Sequence, residues 1–548
     1  MKKTIIIVLT SIVSISAFAQ MDNVVEVENN YRPVVKDANK INSLPEIEQT
    51  PVNHYNVNYT TTSVPTTNYV FEPMWAAKSE KLLRSDKKGF ATAAYGIDNN
   101  MLGRIAYGID LSENDELNFD FSTRGHNSET DHISGTNKWM NRFFTSHFKA
   151  GFEHRFDATS SLLIDASYGT DVFNYQSPIG GLGYTDKQHN DLMDVSIELT
   201  PYSFGKFGLG ASAAITLFNQ KYVTSLVDKA KEVALSGTLT PSYQFNDDVS
   251  IDLEACIDYT NYPMTGFGNG TTFDFTPHLY WKNDVVDLKA GVYVDNDLHI
   301  APDVNATFHV NPRFDIYLQA EGGRVYNDFK SFAQMTPYWC LDIADGDFND
   351  QFDQLRAQGG IRMRPIDGLY ADLSAGYDIS KDRAEIADFL MDRTTNCTYA
   401  PIMFADGKNF FVNANIKYDY RNLFMIDLNG RYNHWSTDYK PTGYIGINTT
   451  NWNQILWRPQ LELDCSIRVQ PIERLTIGAD FLFESFQNKT NRYERPNTLD
   501  LGATISYTFP FRLTLYAKGD NLLNKKYDQY MMYRSPGINF LAGAAITF

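Results

Sequence analysis

The stretch RLTIGADFLFE, residues 474–484, carries the pattern that decides the fold of this chain. Apolar side chains stand at every second position from Leu475 to Phe483, and threonine, glycine, aspartate, leucine and glutamate alternate with them. Side chains of a β-strand point alternately to its two faces. This period of two therefore predicts a strand with one apolar face and one polar face.

The same alternation recurs on both sides of this stretch. Residues 461–470 place apolar side chains opposite Glu462, Asp464 and Arg468, and residues 499–517 repeat the pattern. Unpaired charges are costly inside a soluble core. A propeller would show a sequence repeat of about 40 residues, and this chain has no such repeat. A soluble propeller or tandem sandwich is therefore disfavoured, and a membrane-spanning barrel with a polar lumen is favoured.

Short polar turns divide the region from Gly89 onward into about 22 strands. Longer connections lie between these turns, near residues 126–138, 326–351, 384–408, 438–458 and 524–536. Outer-membrane barrels combine short periplasmic turns with long extracellular loops, and an even strand count leaves both ends of the barrel on the periplasmic side. The pattern thus predicts an all-β, antiparallel barrel over residues 89–548. The ten short turns are at 112–115, 157–159, 202–205, 246–248, 282–284, 311–313, 365–368, 420–422, 471–473 and 509–511.

The amino-acid composition argues against a nucleic-acid partner and favours β-strands. Asp and Glu total 66 against 48 Lys and Arg, so we expect no nucleic acid, because phosphates need a cationic surface. The chain has 33 tyrosines and 36 phenylalanines, residue types that favour strands. The same residue types form the aromatic girdles of membrane barrels.

The N-terminal residues predict secretion. Two lysines are followed by an apolar run over residues 4–15, and Ala17 and Ala19 precede an expected cleavage after Ala19, so residues 1–19 are predicted to be a signal peptide. Residues 20–88 are polar and proline-punctuated, which predicts a short, mostly extended periplasmic or lumenal segment. We expect the mature chain in the outer membrane of a Gram-negative cell.

The C-terminal residues resemble a known family. The last strand, residues 537–548, alternates apolar positions and ends at Phe548, which is similar to the signal that barrel assembly machinery recognises. Upstream, DNLLNKKY at residues 520–527 and Ser-Pro-Gly at 535–537 resemble the end of TonB-dependent receptors. The resemblance implies a 22-stranded barrel surrounded by outer-membrane lipid, assembled by that machinery and active in solute transport.

The chain departs from this family before the barrel. TonB-dependent receptors fill the lumen with a plug domain, whereas residues 20–88 lack the mixed α/β pattern of a plug. Val24, Val25, Glu26 and Val27 loosely resemble a TonB-box, a short extended motif that pairs with a periplasmic energising protein. Any valine-rich extended segment would have the same pattern, so coupling to such a protein stays open.

Two loop regions contain candidate sites. Asp345, Asp347 and Asp350 lie in an acidic loop that offers calcium ligands, although the loop lacks the glycine and distal glutamate of an EF-hand and acidic surface loops are commonly just solvated. Cys340 and Cys397 fall in two long loops expected to be neighbours, which predicts a disulfide in an oxidising compartment. Trp339, close by, either contacts a ligand or packs the loops.

No catalytic motif accompanies these features. The sequence contains no His-Glu-x-x-His, no Gly-x-Ser-x-Gly and no P-loop, so we expect neither an enzyme nor a cofactor. The leading hypothesis is solute transport or binding across the outer membrane by a barrel of TonB-dependent-receptor type. The alternative is a structural or accessory subunit of an outer-membrane complex that assembles or exports surface proteins.

Overall fold

The computed structural model describes residues 88–548 apart from short interruptions. The signal peptide, the segment 20–87 and the TonB-box-like Val24–Val27 therefore lie outside the described residues. The interruptions are at 133–136, 158, 177–186, 222–228, 264–266, 342–348, 387–389, 393–396, 422, 440–456, 487–494 and 531–532.

Twenty-six strands and one α-helix, α1 (Phe329–Met335), make up the described chain. A short 3₁₀ turn, Ile97–Asn99, joins the first two strands. In chain order the strands are β1 (Gly89–Gly96), β2 (Met101–Asp110), β3 (Asp115–Asp131), β4 (Lys138–Arg155), β5 (Ser161–Asn174), β6 (Lys187–Phe204), β7 (Phe207–Lys221), β8 (Lys229–Gln244), β9 (Val249–Asn261), β10 (Asn269–Lys282), β11 (Val286–Asp295), β12 (Ile300–Asn311), β13 (Phe314–Val325), β14 (Trp339–Leu341), β15 (Gln351–Met363), β16 (Leu369–Ile386), β17 (Leu390–Asp392), β18 (Cys397–Tyr420), β19 (Phe424–Tyr439), β20 (Pro459–Ile472), β21 (Leu475–Phe486), β22 (Thr498–Thr508), β23 (Leu513–Asp520), β24 (Asp528–Tyr530), β25 (Tyr533–Arg534) and β26 (Asn539–Thr547).

Twenty-two of these strands form a closed antiparallel barrel, as the alternation and the turns predict. Each barrel strand pairs with the barrel strand before it and the one after it. The ring closes where β1 pairs with β26, from Phe90 opposite Thr547 to Gly96 opposite Leu541. The four strands outside the ring are the short β14, β17, β24 and β25.

Both ends of the barrel meet at one rim. The carbonyl of Phe548 accepts hydrogen bonds from the backbone N–H groups of Lys88 and Gly89, each at 2.8 Å. The Phe548 ring lies over Gly89, where an added Cβ would stand 2.2 Å from the ring, and it stacks on Tyr107 with ring centroids 6.0 Å apart. A side chain at this position would force the terminal ring to shift.

The ten predicted turns all lie at this rim, which we call the turn rim. Each joins two consecutive barrel strands, as 246–248 joins β8 to β9. The opposite rim, the loop rim, carries the longer connections. Two of the predicted loops, 126–138 and 384–408, are largely strand instead, because β3 continues to Asp131 and β18 begins at Cys397. Neither stretch alternates, because the end of β3 has polar side chains on both faces and the start of β18 has mostly apolar side chains on both faces.

The strands point their apolar side chains outward. Ile477, on the apolar face of the stretch that opened the sequence analysis, is 44% exposed, whereas Leu482 on the other face is 5% exposed. Large outward apolar residues continue around the ring, among them Leu235 on β8 and Ile505 on β22. This outward apolar surface makes the barrel membrane-spanning. Among the described residues, no helix has the length and apolar character to cross a bilayer.

Candidate functional site: the lumen and its mouth

Charged side chains line the lumen, and they are paired across neighbouring strands. His278 on β10 lies between Asp252 and Asp303, with its ring nitrogens 2.5 and 2.8 Å from their carboxylate oxygens. Arg356 Nε lies 3.0 Å from the Asp378 carboxylate, one strand away. Pairing lowers the cost of placing charges on an inner wall. The wall is therefore polar and largely charge-compensated.

One buried carboxylate links this wall to the loop rim. Glu385, at the end of β16, is fully buried, and its oxygens lie 2.9 Å from Arg383 Nε and 3.1 Å from Arg458 Nε. The guanidinium groups of Arg383 and Arg458 stand 4.5 and 5.5 Å from the ring centroid of Trp435. Two arginines share one acid here, so the cation–π contacts with Trp435 add stabilisation.

The connection between β13 and β15 folds into the mouth of the lumen instead of extending outward. We call residues 326–341 the mouth segment. It contains α1, which begins after Asp328 because the Asp328 carboxylate accepts the backbone N–H of Ser331 at 2.6 Å and Ser331 accepts the Asp328 N–H in return. Burial raises the pKa of Asp328.

The mouth segment packs its apolar side against the barrel wall. Phe329, Phe332 and Trp339 are at most 1% exposed. They form one cluster with Phe218 of β7 and Ile402 of β18. The Trp339 indole N–H donates to Gln220 Oε1 at 2.7 Å, and the Gln220 amide donates to the Pro337 carbonyl at 3.2 Å. These polar bonds fix the segment to β7.

A second cluster is made mainly of tyrosines. Tyr338 stacks on Tyr533 of β25 with ring centroids 3.4 Å apart, and Tyr175 contacts Tyr399 at 4.9 Å. The Tyr533 hydroxyl donates to the Thr398 carbonyl at 2.6 Å. Burial raises the pKa of Tyr338 and of Tyr533 well above the ordinary value, so both phenols are neutral. Trp139, Phe173, Cys340 and Cys397 complete this cluster.

These clusters cross the whole lumen. β5 is the fifth and β18 the sixteenth strand around the ring of 22, so they stand eleven strands apart, on opposite sides of the barrel. Tyr175 directly follows β5 and Tyr399 lies on β18, yet their rings are in contact. Phe218 on β7 is likewise in one cluster with Ile386 on β16. The mouth is therefore bridged by a buried core.

The sequence-predicted sites have different outcomes. Asp345 and Asp347 lie outside the described residues. Asp350 lies 3.5 Å from Arg324 and accepts the Asn327 N–H at 3.1 Å. Calcium binding by this loop stays a prediction. Phe548 lies at the seam of the barrel, where its backbone closes the ring.

The two loop cysteines are in one cluster but not opposite each other. Cys340 is paired with Pro401 in the parallel ladder of β14 and β18, four residues beyond Cys397. Strand residues rise about 3.3 Å each, and a disulfide needs Cα atoms within about 7 Å. A bond between Cys340 and Cys397 would therefore require this ladder to rearrange, and it stays a prediction.

A cluster of potential metal ligands stands elsewhere on the loop rim. Asp295, Asp297 and His299 bring three ligand atoms within 4.8 Å of one another. Arg324 lies 2.8 Å from Asp295 and 2.5 Å from Asp297. Its guanidinium group therefore already offsets the negative charge of these carboxylates, as a metal ion would. The arrangement is that of a structural ion-pair network.

Sequence reasoning missed the mouth segment as a site. It assigned residues 326–351 to an outer loop and left the role of Trp339 open between ligand contact and loop packing. The structure shows that Trp339 packs. The density of aromatic residues between Tyr326 and Trp339 was the available signal, because an exposed loop has little use for five aromatic side chains in fourteen residues.

Comparison with known proteins identifies the architecture. Neither a protein-family model nor a curated protein sequence matches the chain. Solved structures do match. The barrel is similar to those of siderophore receptors.

The matches cover most of the chain at low sequence identity. The FrpB iron transporter from Neisseria meningitidis matches with a TM-score of 0.63 at 8% identity, over 85% of this chain and 82% of that one. The ferric enterobactin receptor from Pseudomonas aeruginosa gives 0.61 at 11%, over 85% and 80%. The siderophore receptor PirA from Acinetobacter baumannii gives 0.60 at 13%, over 85% and 81%. These proteins are receptors and transporters, and the similarity is one of fold.

Proposed function

We propose that this chain binds or transports a solute across the outer membrane as a barrel of TonB-dependent-receptor type. The observation that carries the proposal is the closed 22-strand barrel with an apolar outside and a charged lumen. Paired charges such as Arg356 with Asp378 make a polar wall for a solute path. The matched structures, described as siderophore receptors and an iron transporter, suggest ferric chelates as the first solutes to test.

The proposal includes the route to the membrane. Cleavage after Ala19 would release a mature chain whose residues 20–88 replace a plug, and the strand ending at Phe548 would be read by the barrel assembly machinery. The turn rim would then face the periplasm. The intact mass of the protein purified from outer membranes tests the cleavage, because a mature chain beginning at Gln20 has one expected mass.

Energy coupling is tested through the TonB-box-like residues. Strand addition needs the backbone N–H groups of Val24–Val27, so Val25→Pro should abolish uptake of ferric enterobactin by energised cells and leave the amount of barrel unchanged. Val25→Thr, which keeps the N–H group, is the matched control. Equal uptake by the two variants would contradict coupling through this motif.

A second candidate function is a structural subunit of an outer-membrane complex. A groove of about 560 Å³ on the outward face beside the seam favours it, with Ala503, Ala517 and Ala542 between the rings of Tyr95 and Phe540. Exposed apolar surfaces of unusual shape mark contact sites.

Native mass decides between the two functions. The protein is purified from its own outer membrane in mild detergent, and the composition of whatever accompanies it is determined. A monomer that is required for uptake of ferric enterobactin supports transport. A stable stoichiometric complex, with uptake unchanged when the gene is deleted, contradicts transport and supports the structural subunit.

A further inference from the structure

We propose that the mouth segment, residues 326–341, is a removable gate that closes the lumen at the loop rim. The closure follows from geometry, and only the purpose of opening rests on the proposed transport function. The gate consists of α1 and β14, held against β7, β8, β18 and β25. It packs inside the mouth of the barrel and shares a buried core with the wall.

The gate can leave without opening the barrel. β13 and β15, the strands before and after it, pair directly with each other from Phe314 opposite Met363 to Val325 opposite Gln351. Among the described residues, the gate pairs with the sheet through β14 alone, with three residue pairs to β18. Movement of residues 326–341 therefore breaks no ladder between barrel strands.

Aromatic stacking holds the gate closed from the far side. Tyr338 of the gate stacks on Tyr533, which follows β23 and precedes β26 at the seam. Trp139 meets the Tyr533 ring edge-on at 5.5 Å, and Tyr338 also meets Phe173 at 5.5 Å. Aromatic pairs stabilise a packed arrangement beyond the burial of their surface. The Tyr338–Tyr533 stack therefore acts as the latch of the gate.

The anchors on the wall are polar and incompletely satisfied. Glu232 on β8 accepts the Phe329 N–H at 2.7 Å and the Lys330 N–H at 3.3 Å, at the start of α1. Within the described residues, Glu232 Oε1 and Thr398 Oγ1 are buried with no hydrogen-bond partner. A buried polar atom without a partner raises the free energy of the closed state. The closed gate is thus held by its aromatic contacts, by the hydrogen bonds to Glu232 and Gln220 and by the Lys330–Asp194 ion pair at 3.3 Å, and it is opposed by these two atoms.

A single lumen position reports whether the gate is closed. Ser236 faces the lumen on β8, since its neighbour Leu235 points outward, and it lies four residues further from the loop rim than Glu232. That spacing is roughly 13 Å along the strand. Intact cells that carry Ser236→Cys are treated with a membrane-impermeant maleimide, and the parent chain supplies the baseline from the four native cysteines.

The latch variant Tyr338→Ala/Tyr533→Ala is compared with Tyr377→Ala, which removes an outward-facing tyrosine of β16. We expect Ser236→Cys to stay unlabelled when the latch is intact, both in the otherwise unchanged chain and in the chain that also carries Tyr377→Ala. In the latch variant we expect labelling of Ser236→Cys to rise at least about tenfold, because two or more aromatic contacts are lost. Heat-modifiable electrophoretic mobility establishes that each barrel is folded.

Two results would overturn the gate. Labelling with the intact latch would mean that the mouth is open, and no labelling in a folded latch variant would mean that these residues are not the barrier. The transport proposal is judged separately, by uptake of ferric enterobactin. Gated labelling without uptake would leave the gate and exclude ferric enterobactin as the transported solute.

Discussion

At the scale of single residues, Glu385 has the largest expected effect on stability. It is fully buried and shared by Arg383 and Arg458, so removing it takes the carboxylate partner from both guanidinium groups. We expect Glu385→Ala to lower the free energy of unfolding by about 3–5 kcal/mol, and Glu385→Gln to lower it less because an acceptor remains. Tryptophan fluorescence during guanidinium unfolding in detergent measures this. Asp247→Ala, at an exposed turn, is the control, and an equal effect there would contradict the prediction.

Phe548 is a second residue with a defined role. Its ring packs on Gly89 and Tyr107, at the point where the ends of the barrel meet. We expect Phe548→Ala to reduce the fraction of folded barrel in outer-membrane samples, since an aromatic contact of about 0.5–1.5 kcal/mol is lost at the closing seam. Ile366→Ala, which removes an exposed apolar side chain from another turn, should leave that fraction unchanged. Heat-modifiable mobility gives the fraction, and equal yields would refute the role.

At the scale of elements, β8 offers a matched test of which face meets lipid. Leu235 points outward near the middle of the strand, and Ser236 points into the lumen. We expect Leu235→Arg to lower stability by about 2–4 kcal/mol and Ser236→Arg to change it by less than about 0.5 kcal/mol. Unfolding in lipid vesicles measures both. Similar losses for the two variants would contradict the assigned facing.

The mouth segment should depend on pH through Asp350. Burial raises the pKa of Asp350 to about 6, and this carboxylate accepts the N–H of Asn327 at the base of the segment. An acid whose pKa is raised on folding binds its proton more tightly in the folded state. The closed segment should therefore gain stability as pH falls from about 7 toward the unfolded value near 4.

Hydrogen exchange of peptides covering residues 326–341, corrected for the intrinsic effect of pH, measures this change. Asp350→Asn, which keeps the oxygen acceptor without a charge, should show at pH 7 the protection that the parent reaches only near pH 5. A parent that exchanges equally fast at both pH values would rule out Asp350 as the titrating group.

At the scale of the whole molecule, the barrel should form without residues 20–87. All 22 barrel strands lie between Gly89 and Thr547, and the ring closes through β1 and β26. A chain with the signal peptide joined to Lys88 should give a heat-modifiable barrel. Removal of β1 as well should not, because β1 pairs on both sides. A misfolded 20–87 deletion would show that the N-terminal segment belongs to the folding unit.

Much of the fold could be predicted because its determinants are local. The alternation at Leu475–Phe483 sets which side chains face lipid, and turns such as 246–248 set the strand count. Phe548 was also identifiable, since a terminal aromatic residue on an alternating strand is visible in the sequence itself. The end of β3 and the start of β18 were not, because both faces are polar in the first and mostly apolar in the second, so neither shows the alternation.

The sequence alone determined a barrel of 22 strands, its apolar outside and its charged lumen, since each follows from the order of neighbouring residues. Only the tertiary structure decided how the mouth is closed. Tyr533 donates to a carbonyl 135 residues away, and Tyr175 meets Tyr399 across the full width of the barrel. Such contacts have no period in the sequence, because they exist only after the ring has closed and brought opposite strands face to face.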